Sequence, residues 1–355
     1  MRQIYGFLDC DTKSTTSFLH FFFVFSSFST ENSLFPITFR YNCRVNIKIL
    51  VSLQYEYLAD MMLSILIPTY NYDCSQLVTA LKAQCDGCGV AYEIIVADDG
   101  SSQPVWHELE QKIGRLENCI FIRREQNVGR SQIRNFLASV ANGSLLLFMD
   151  QDGKVVRGDF ICKYLDAARS HDVVCGGIVH SDETPPPDYS LRYRYEKNYE
   201  RHLSVDKLNS DARSKFRSFC FLIKREVAEA VMMDAQFGRY GYEDVKYGID
   251  LRKAGFRIFH IDNPLMNDDI ENNPDFVRKT EEALQTLHQF KNKLRGNVTL
   301  LDRAEQLKHI RLYPLLRLLS TAVCRPLRQN LCSCHPAVCL FNFYKLLYYI
   351  SIDND

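Results

Sequence analysis

The chain has 355 residues, enough for one large or two smaller domains around a sizeable core. Lysine plus arginine and aspartate plus glutamate each number 43, so the formal net charge is zero. Typical nucleic-acid-binding proteins carry an excess of basic residues, which this chain lacks. No nucleic-acid partner is therefore expected. The 13 scattered cysteines indicate reduced, buried thiols in a cytoplasmic protein. Cys85 and Cys88 form a lone CxxC, which is weak evidence for zinc because no second pair follows nearby.

Residues 1–60 differ in composition from the rest of the chain. They contain the aromatic run TSFLHFFFVFSSFS, which is too short to span a bilayer at about 1.5 Å per residue. Asp9 and Asp11 stand where a signal peptide carries basic residues, and no small-residue cleavage site follows. We expect an extension that is not part of the fold, with Met61 or Met62 as the natural start. The alternative is an extension that packs on the domain.

From residue 63 onward, apolar runs alternate with segments of helical periodicity. Strands are predicted at 63–68, 93–102, 119–125 and 144–150. A segment of helical spacing follows the first strand at 72–85, and helices are predicted after the second and third at about 104–115 and 129–141. Near-continuous apolar strands separated by helices indicate an α/β fold with a mainly parallel sheet that is covered on both faces. Ligands of such sheets bind beyond the carboxyl ends of the strands. The segments 68–71, 98–101 and 150–152 should therefore converge on one crevice.

The second half of the chain carries fewer chemical signals. Residues 216–227 predict a core strand that leads into a helix, and residues 257–264 predict a further strand. Beyond about residue 275 the pattern becomes helical, and residues 309–331 carry four arginines and no acid among leucines. No stretch reaches the roughly 18 uncharged apolar residues of a spanning helix. This basic amphipathic segment favours a membrane surface, and two helices packed on the domain are the alternative.

The apolar run SLLLFMDQDG ends in two carboxylates, Asp150 and Asp152, separated by one residue. Such carboxylates repel each other unless a cation or a hydrogen-bond donor lies between them. Three interpretations compete: a polar turn, the nucleophile loop of a phosphatase of the haloacid dehalogenase type, and a clamp for a metal and a diphosphate. In the phosphatase Asp150 is the nucleophile and Asp152 the general acid. That family begins its domain with this loop, whereas here three strand–helix units precede it.

Five motifs occur in an order that resembles the family 2 glycosyltransferases of GT-A fold. They are PTYN (68–71), ADDGSS (97–102), NVGRSQIRN (127–135), MDQD (149–152) and GYEDVKYGIDLRKAG (241–255). The last also resembles the galactosyltransferase-type ED segment of bacterial polysaccharide-synthesis enzymes. The resemblance implies a Rossmann-like GT-A domain at 62–270, with a mixed, mainly parallel sheet and helices on both faces. A helical, membrane-associating region follows at 271–355.

The resemblance implies transfer of a sugar from a nucleotide-sugar donor, with a UDP-sugar favoured, to a hydroxyl of a glycan or lipid-linked acceptor. A divalent cation, Mg²⁺ or Mn²⁺, neutralises the leaving diphosphate in this chemistry. Asp152 is the expected metal ligand, and Asp150 is expected to contact the ribose or a metal-bound water. Related enzymes often place a histidine where Asn267 stands, and an amide oxygen binds metal more weakly than imidazole. A sugar-nucleotide-binding protein with weak catalysis is therefore an alternative.

Donor binding is assigned to the strand ends and the helix that starts near Gly129. Asp98 or Asp99 could accept a hydrogen bond from the uracil N3–H, and Asp99 is favoured because it precedes the Gly100 turn. Pro68 and Tyr70, with Thr69, would line the base pocket. Arg130 and Arg134 share a helix face, from which one could reach the base or the diphosphate. An ordinary β-turn and two solvated arginines are the alternatives.

Glu243 and Asp244 form the second carboxylate pair, at the start of a predicted helix that ends at Gly255. A helix N-terminus keeps a carboxylate ionised, which suits a general base. By the resemblance, Asp244 takes the proton of the acceptor hydroxyl, Glu243 orients it, and the anomeric configuration inverts. The alternative is a helix-capping pair. The expected location is cytoplasmic, peripheral at the inner face of the cell membrane.

Overall fold

The apolar runs of the sequence form the strands of a central sheet. A computed structural model describes residues 61–102, 104–201, 204–211, 216–267 and 269–353, so the expectation for residues 1–60 lies outside the described part. The strands are β1 (Met62–Thr69), β2 (Ala91–Asp99), β3 (Cys119–Arg124), β4 (Leu145–Met149), β5 (Gly153–Lys154), β6 (Val173–Cys175), β7 (Ile178–His180), β8 (Cys220–Lys224), β9 (Ile258–His260) and β10 (Leu265–Asn267).

Helices lie between and after these strands. They are α1 (Ser75–Cys88), α2 (Val105–Ile113), α3 (Arg130–Val140), α4 (Phe160–Ala168), α5 (Ser190–Glu200), α6 (Val205–Ser210), α7 (Arg225–Ala230), α8 (Glu243–Lys253), α9 (Asn273–Gln289), α10 (Lys291–Leu294), α11 (Thr299–His309), α12 (Tyr313–Leu331) and α13 (Phe341–Ile352). The helices expected at 104–115 and 129–141 are confirmed within two residues at each end.

The larger sheet has the strand order β3-β2-β1-β4-β8-β6-β9. Strands β1 to β4 are mutually parallel, whereas β8 runs antiparallel to both β4 and β6. The mixed, mainly parallel α/β sheet that the sequence predicted is therefore confirmed. Because the first four strands run the same way, their carboxyl ends lie at one edge, and Thr69 stands in register with Asp98.

A second, three-stranded sheet of order β5-β10-β7 lies just beyond the end of β4. Asn267 of β10 stands opposite both Gly153 of β5 and His180 of β7. Through this pairing, Asn267 lies beside Gly153, the residue that follows Asp152.

The core is built on the fully buried strands and the helices that cover them. Phe148 of β4 stacks on Phe221 of β8 with ring centroids 4.9 Å apart, and Tyr247 of α8 packs against the same cluster. Helices α3 and α7 contribute Ile133 and Val227 to it. The two helices that open on candidate site residues, α3 and α8, are thereby fixed to the sheet by apolar packing.

The C-terminal helices pack on the domain through two further apolar clusters. One cluster includes Ile249 of α8, Leu284 of α9 and Ile350 of α13. In the other, Leu191 of α5 meets Tyr344 of α13. None of the helices between residues 61 and 353 that the structure describes is long and apolar enough to cross a membrane.

Candidate functional site

The carboxylate of Asp150 lies at the end of β4 between two guanidinium groups. Arg130 Nη2 is 2.5 Å from its Oδ2, and Arg134 Nη2 binds its Oδ1. Both arginines come from α3, one turn apart, as the shared helix face predicted. The side chain of Arg134 is buried, so its charge and that of Asp150 compensate each other away from solvent. These two guanidinium groups neutralise Asp150 and thereby reduce its repulsion of Asp152.

Arg130 also reaches the second carboxylate pair. Its Nε lies 3.2 Å from Glu243 Oε1, at the first turn of α8. Burial alone would lower the pKa of Arg130, but Asp150 and then Glu243 outweigh it and raise that pKa above its ordinary value. The strand end that carries Asp150 and the helix start that carries Glu243 therefore belong to one site.

Asp244 follows Glu243 in the first turn of α8. Its Oδ1 accepts a hydrogen bond from the backbone N–H of Val245 at 2.7 Å. Burial, and then the charge of Glu243, raise the pKa of Asp244 to about 6. The residue before the helix, Tyr242, has a φ of 65° and makes no side-chain cap, whereas Glu243 accepts from Gly241 N–H at 3.1 Å. A carboxylate with a pKa of about 6 is suited to accept a proton near neutral pH.

Asp152 lies at the turn that leads into β5. Burial, and then the charge of Asp150, raise its pKa to about 6. No side chain in the described ranges forms an ion pair with it, although Asp150 nearby has two. Asn267 lies beside this turn because its backbone pairs with Gly153. Its Nδ2 is buried and has no hydrogen-bond partner within the described part of the chain, while its Oδ1 accepts from Asp269 N–H at 3.2 Å.

Asp98 and Asp99, at the end of β2, accept hydrogen bonds from backbone N–H groups of the surrounding loops. Asp98 is fully buried and accepts from the N–H of Ser101 at 3.0 Å. Asp99 accepts from Val128 N–H at 3.0 Å and from Gly129 N–H at 3.1 Å. Burial raises the pKa of Asp99 above its ordinary value despite these donors. Both residues thus shape the loops around the crevice, and Asp99 fixes the start of α3.

Pro68 and Tyr70 lie at the end of β1 and just beyond it. Tyr70 is 47% exposed, and its backbone N–H donates to Gln151 Oε1 at 2.7 Å. Gln151 separates the two aspartates after β4, so this bond joins two of the strand ends that the sequence placed in one crevice. The expected convergence of the three segments is borne out: Asn71 N–H donates to Ser101 Oγ at 2.7 Å, which connects the third.

The sequence around this site also matches a known protein family. Residues 64–232 match the family described as glycosyl transferase family 2. The chain carries a family 2 glycosyltransferase domain. The matched range ends before Glu243 and Asp244, so it includes only the first of the two carboxylate pairs.

Two relatives are similar to this chain over part of their length. An uncharacterized glycosyltransferase of Bacillus subtilis (strain 168), YfnE, is 24% identical over 248 residues, which are 55% of this chain and 61% of the relative. An N-acetylglucosaminyltransferase of Azorhizobium caulinodans is 29% identical over 118 residues, 32% of this chain and 29% of that protein. The chain therefore spans less than two thirds of the length of either relative.

The fold of this chain is also that of a solved structure. The mannosyltransferase PcManGT of Pyrobaculum calidifontis, in complex with GDP-Man and Mn²⁺, matches with a TM-score of 0.50 and 13% identity. The match covers 81% of this chain and 85% of that chain. It supports the GT-A fold, and the phosphatase alternative finds no support in it.

The structure adds residues that sequence patterns did not assign to the site. Arg192 of α5 pairs with Glu271 and, at 3.3 Å, with Glu196. Tyr240 lies between Arg130 and Lys279, whose cationic groups are 5.6 and 5.9 Å from its ring centre. The Tyr/Arg-rich composition of 189–201 was a signal for such a cluster, but composition could not show that Arg192 would be neutralised by acids of this chain.

His180 lies in the same neighbourhood, on β7 beside Asn267. Its Nδ1 is 2.5 Å from Glu200 and its Nε2 is 2.5 Å from Glu196. Burial lowers the pKa of His180, but the two glutamates outweigh it and raise that pKa. The two glutamates therefore favour the protonated form of His180. His260, by contrast, lies on β9, and its backbone N–H donates to Asn209 Oδ1 at 2.8 Å.

Proposed function

We propose that this glycosyltransferase moves a sugar from a nucleotide-sugar donor, with UDP-sugars favoured, to a hydroxyl of a glycan or lipid-linked acceptor, with inversion at the anomeric carbon. One observation carries the proposal. Arg130 joins Asp150 at the end of β4 to Glu243 at the start of α8, so donor-side and acceptor-side carboxylates share a site. A transferase needs both kinds of group around one anomeric carbon.

Asp152 and Asn267 are the residues that would hold Mg²⁺ or Mn²⁺. Asp152 has no competing ion pair among the described residues, and the amide oxygen of Asn267 on the adjoining strand, which accepts from Asp269 N–H, would be the second ligand. An oxygen donor set fits these hard cations. The described residues contain no cluster of three or more histidine, cysteine or acidic ligands, so donor oxygens and water would complete the shell. When bound, the cation supplies positive charge that stabilises the leaving diphosphate.

Asp244 is the proposed general base. The acceptor hydroxyl oxygen attacks the anomeric carbon as its proton passes to the Asp244 carboxylate, and the bond from that carbon to the β-phosphate oxygen breaks. The electron pair leaves with the nucleoside diphosphate. Its raised pKa makes Asp244 a better proton acceptor than an ordinary aspartate. Glu243, held by Arg130 and Gly241, has the position of an orienting group.

The donor is proposed to lie along the strand ends, with its base near Tyr70 and Asp99 and its diphosphate near Arg130. Half of the Tyr70 side chain is exposed at the crevice and can stack on a base. Arg134 is buried against Asp150 and positions it. The proposed location is cytoplasmic, peripheral at the inner face of the cell membrane, with the C-terminal helices as the contact.

The decisive experiment combines donor binding with turnover. Hydrolysis and transfer are measured for UDP-, GDP-, CMP- and dTDP-sugars, with Mn²⁺, with Mg²⁺ and with a chelator. We expect metal-dependent turnover of a UDP-sugar. The rival function, sugar-nucleotide binding with weak catalysis, is favoured by the amide of Asn267 at a metal position. Tight donor binding without turnover of any donor would decide for that rival.

A further inference from the structure

Helix α12 exposes large apolar side chains to solvent. Leu315 and Leu318 are 60% and 70% exposed, and Leu319 is exposed as well. These three residues share one helix face, and Ile310 and Leu312 are exposed just before the helix begins. We call these five residues the leucine face. Single exposed leucines are ordinary, but a contiguous apolar stripe on a helix marks an interaction surface.

The leucine face belongs to a helix that is firmly attached to the domain. The opposite side of α12 is anchored in the domain by buried Tyr313 and Leu331. Tyr313 donates to Asp353 Oδ2 at 2.6 Å, and Arg328 Nε is 2.8 Å from Glu281 of α9. Both ends of the helix are thereby fixed, so its outer face is held rigidly outward.

The charged residues of the chain segment that carries the leucine face are of one sign. Residues 306–352 contain six lysines and arginines and no aspartate or glutamate, in a chain whose net charge is zero. The exposed side chains of Arg311 and Arg325 form no ion pair with any residue in the described ranges. Arg325 lies two helical turns beyond Leu318 and therefore on the same face. Apolar side chains flanked by uncompensated arginines match the chemistry of an anionic lipid surface.

We propose that the leucine face docks on a bilayer surface that contains anionic lipids. The leucines enter the boundary between headgroups and acyl chains, and Arg311 and Arg325 contact lipid phosphates. The helix lies in the plane of the interface and does not span it, which agrees with its composition. This inference specifies the membrane contact named in the proposed function, and the purpose of the docking rests on that function. The docking itself does not depend on glycosyl transfer.

The test uses the full chain in a vesicle flotation assay. Vesicles of phosphatidylcholine alone are compared with vesicles that contain about one third phosphatidylglycerol, at low and high salt. We expect flotation with the anionic vesicles only, weakened by salt. The double variant Leu315→Gln/Leu318→Gln should bind about tenfold more weakly or worse. Arg311→Gln/Arg325→Gln should lose the salt dependence together with much of the binding.

Matched controls come from elsewhere on the surface. Met232→Gln changes an apolar side chain that is 61% exposed outside the C-terminal region, and Arg115→Gln removes an exposed arginine of α2's following turn. Both should float like wild type. The proposal is overturned if wild type ignores anionic vesicles or if the leucine variant floats unchanged. It is also overturned if wild type is a dimer that this variant dissociates, because a second copy would then cover the face.

A third measurement separates this proposal from the proposed function. Donor hydrolysis without vesicles should be the same in Leu315→Gln/Leu318→Gln as in wild type, because these side chains lie outside the site. Intact vesicle binding in a protein that turns over no donor would contradict the proposed function alone. Loss of vesicle binding with normal donor turnover in wild type would contradict the docking alone.

Discussion

Arg130 Nε lies 3.2 Å from Glu243 Oε1, and this ion pair joins helix α3 to helix α8. The same guanidinium group is 2.5 Å from Asp150, so it neutralises carboxylates from two distant parts of the chain at once. About 40% of the Arg130 side chain remains exposed, which leaves it accessible to a bound diphosphate. Its replacement should therefore affect donor binding and transfer together.

Arg130→Gln should lower transfer by about a hundredfold or more, the size of effect seen when an electrostatic group is lost from an active site. Donor affinity should fall too, because Asp150 and Glu243 would repel an anionic donor without the guanidinium. The melting temperature should fall as well, because Asp150 and Glu243 are buried and lose a shared counter-charge. Arg169→Gln, which removes a peripheral pair with Asp166 on α4, is the control and should leave transfer unchanged. Equal activity in both variants would remove Arg130 from the site.

Replacing Glu93 should lower stability and leave activity unchanged. Its buried carboxylate accepts from Ser64 Oγ at 2.6 Å, from Asn142 N–H at 2.6 Å and from Asn142 Nδ2 at 3.0 Å. Glu93→Ala leaves these donors without an acceptor, at a cost of about 1–3 kcal/mol for each strongly affected group. We expect a clear loss of unfolding free energy in denaturant titration, while kcat and KM of the remaining folded enzyme stay normal. A change in kcat at unchanged stability would contradict this assignment.

The fold was predictable because periodicity and burial agree. The parallel strands of the first half are mainly apolar, and each ends in a turn signal, so β1 to β4 were placed correctly from the residues alone. The short strands were not. Strands β5 and β10 have two and three residues, and their pairing depends on a contact between Gly153 and Asn267 that no local pattern encodes.

In the site, too, local patterns were predictable from the sequence and long-range contacts were not. The sequence placed Asp150, Arg130 and Arg134 near one crevice, because all three follow strand ends. It could not show that both arginines would turn to Asp150, because ion pairing depends on side-chain directions in three dimensions. The contact of Gln151 with Tyr70 and the two glutamates around His180 were missed for the same reason.

Asp152→Ala should remove metal-dependent donor binding. The reason is that Asp152 is the carboxylate of this pair without an ion-pair partner among the described residues, and Asn267 alone offers one weak oxygen. Donor affinity is measured by calorimetry with Mn²⁺ and with a chelator, which should affect wild type strongly and the variant little. Asp159→Ala, at an exposed pair with Arg157, is the control. Unchanged affinity in Asp152→Ala with metal present would contradict the metal role.

The raised pKa of Asp244 predicts how rate and stability depend on pH. Deprotonated Asp244 is the base, so kcat/KM should fall as pH drops through about 6. For stability the sign is reversed. The folded protein binds this proton more tightly than the unfolded chain, whose aspartate has a pKa near 3.8, so ionisation of Asp244 costs stability as pH rises from about 4 to 6. Asp244→Asn should therefore gain stability relative to wild type across this interval. A difference that does not vary with pH would contradict the shift.

Asp244→Asn also separates the base from a helix cap. Asparagine keeps the size and the Oδ1 that accepts from Val245 N–H, but it cannot take a proton. Transfer should fall by about 10²- to 10⁴-fold, the usual contribution of general base catalysis. Donor affinity should survive, because the proposed donor contacts lie on the strand ends. Glu243→Gln should act mainly through a higher KM for acceptor, since it orients rather than accepts the proton.

The capping alternative makes a different prediction for the same variant. Asparagine is as good a capping residue as aspartate, so a cap would leave both rate and melting temperature nearly unchanged. Asp250→Asn is the matched control, because Asp250 lies on α8 and pairs with Lys246 on the same helix. It should keep full transfer, with a stability loss of about 0.5 kcal/mol or less. Full transfer in Asp244→Asn would assign the proton to another group, whereas loss in Asp244→Asn alone places it on this carboxylate.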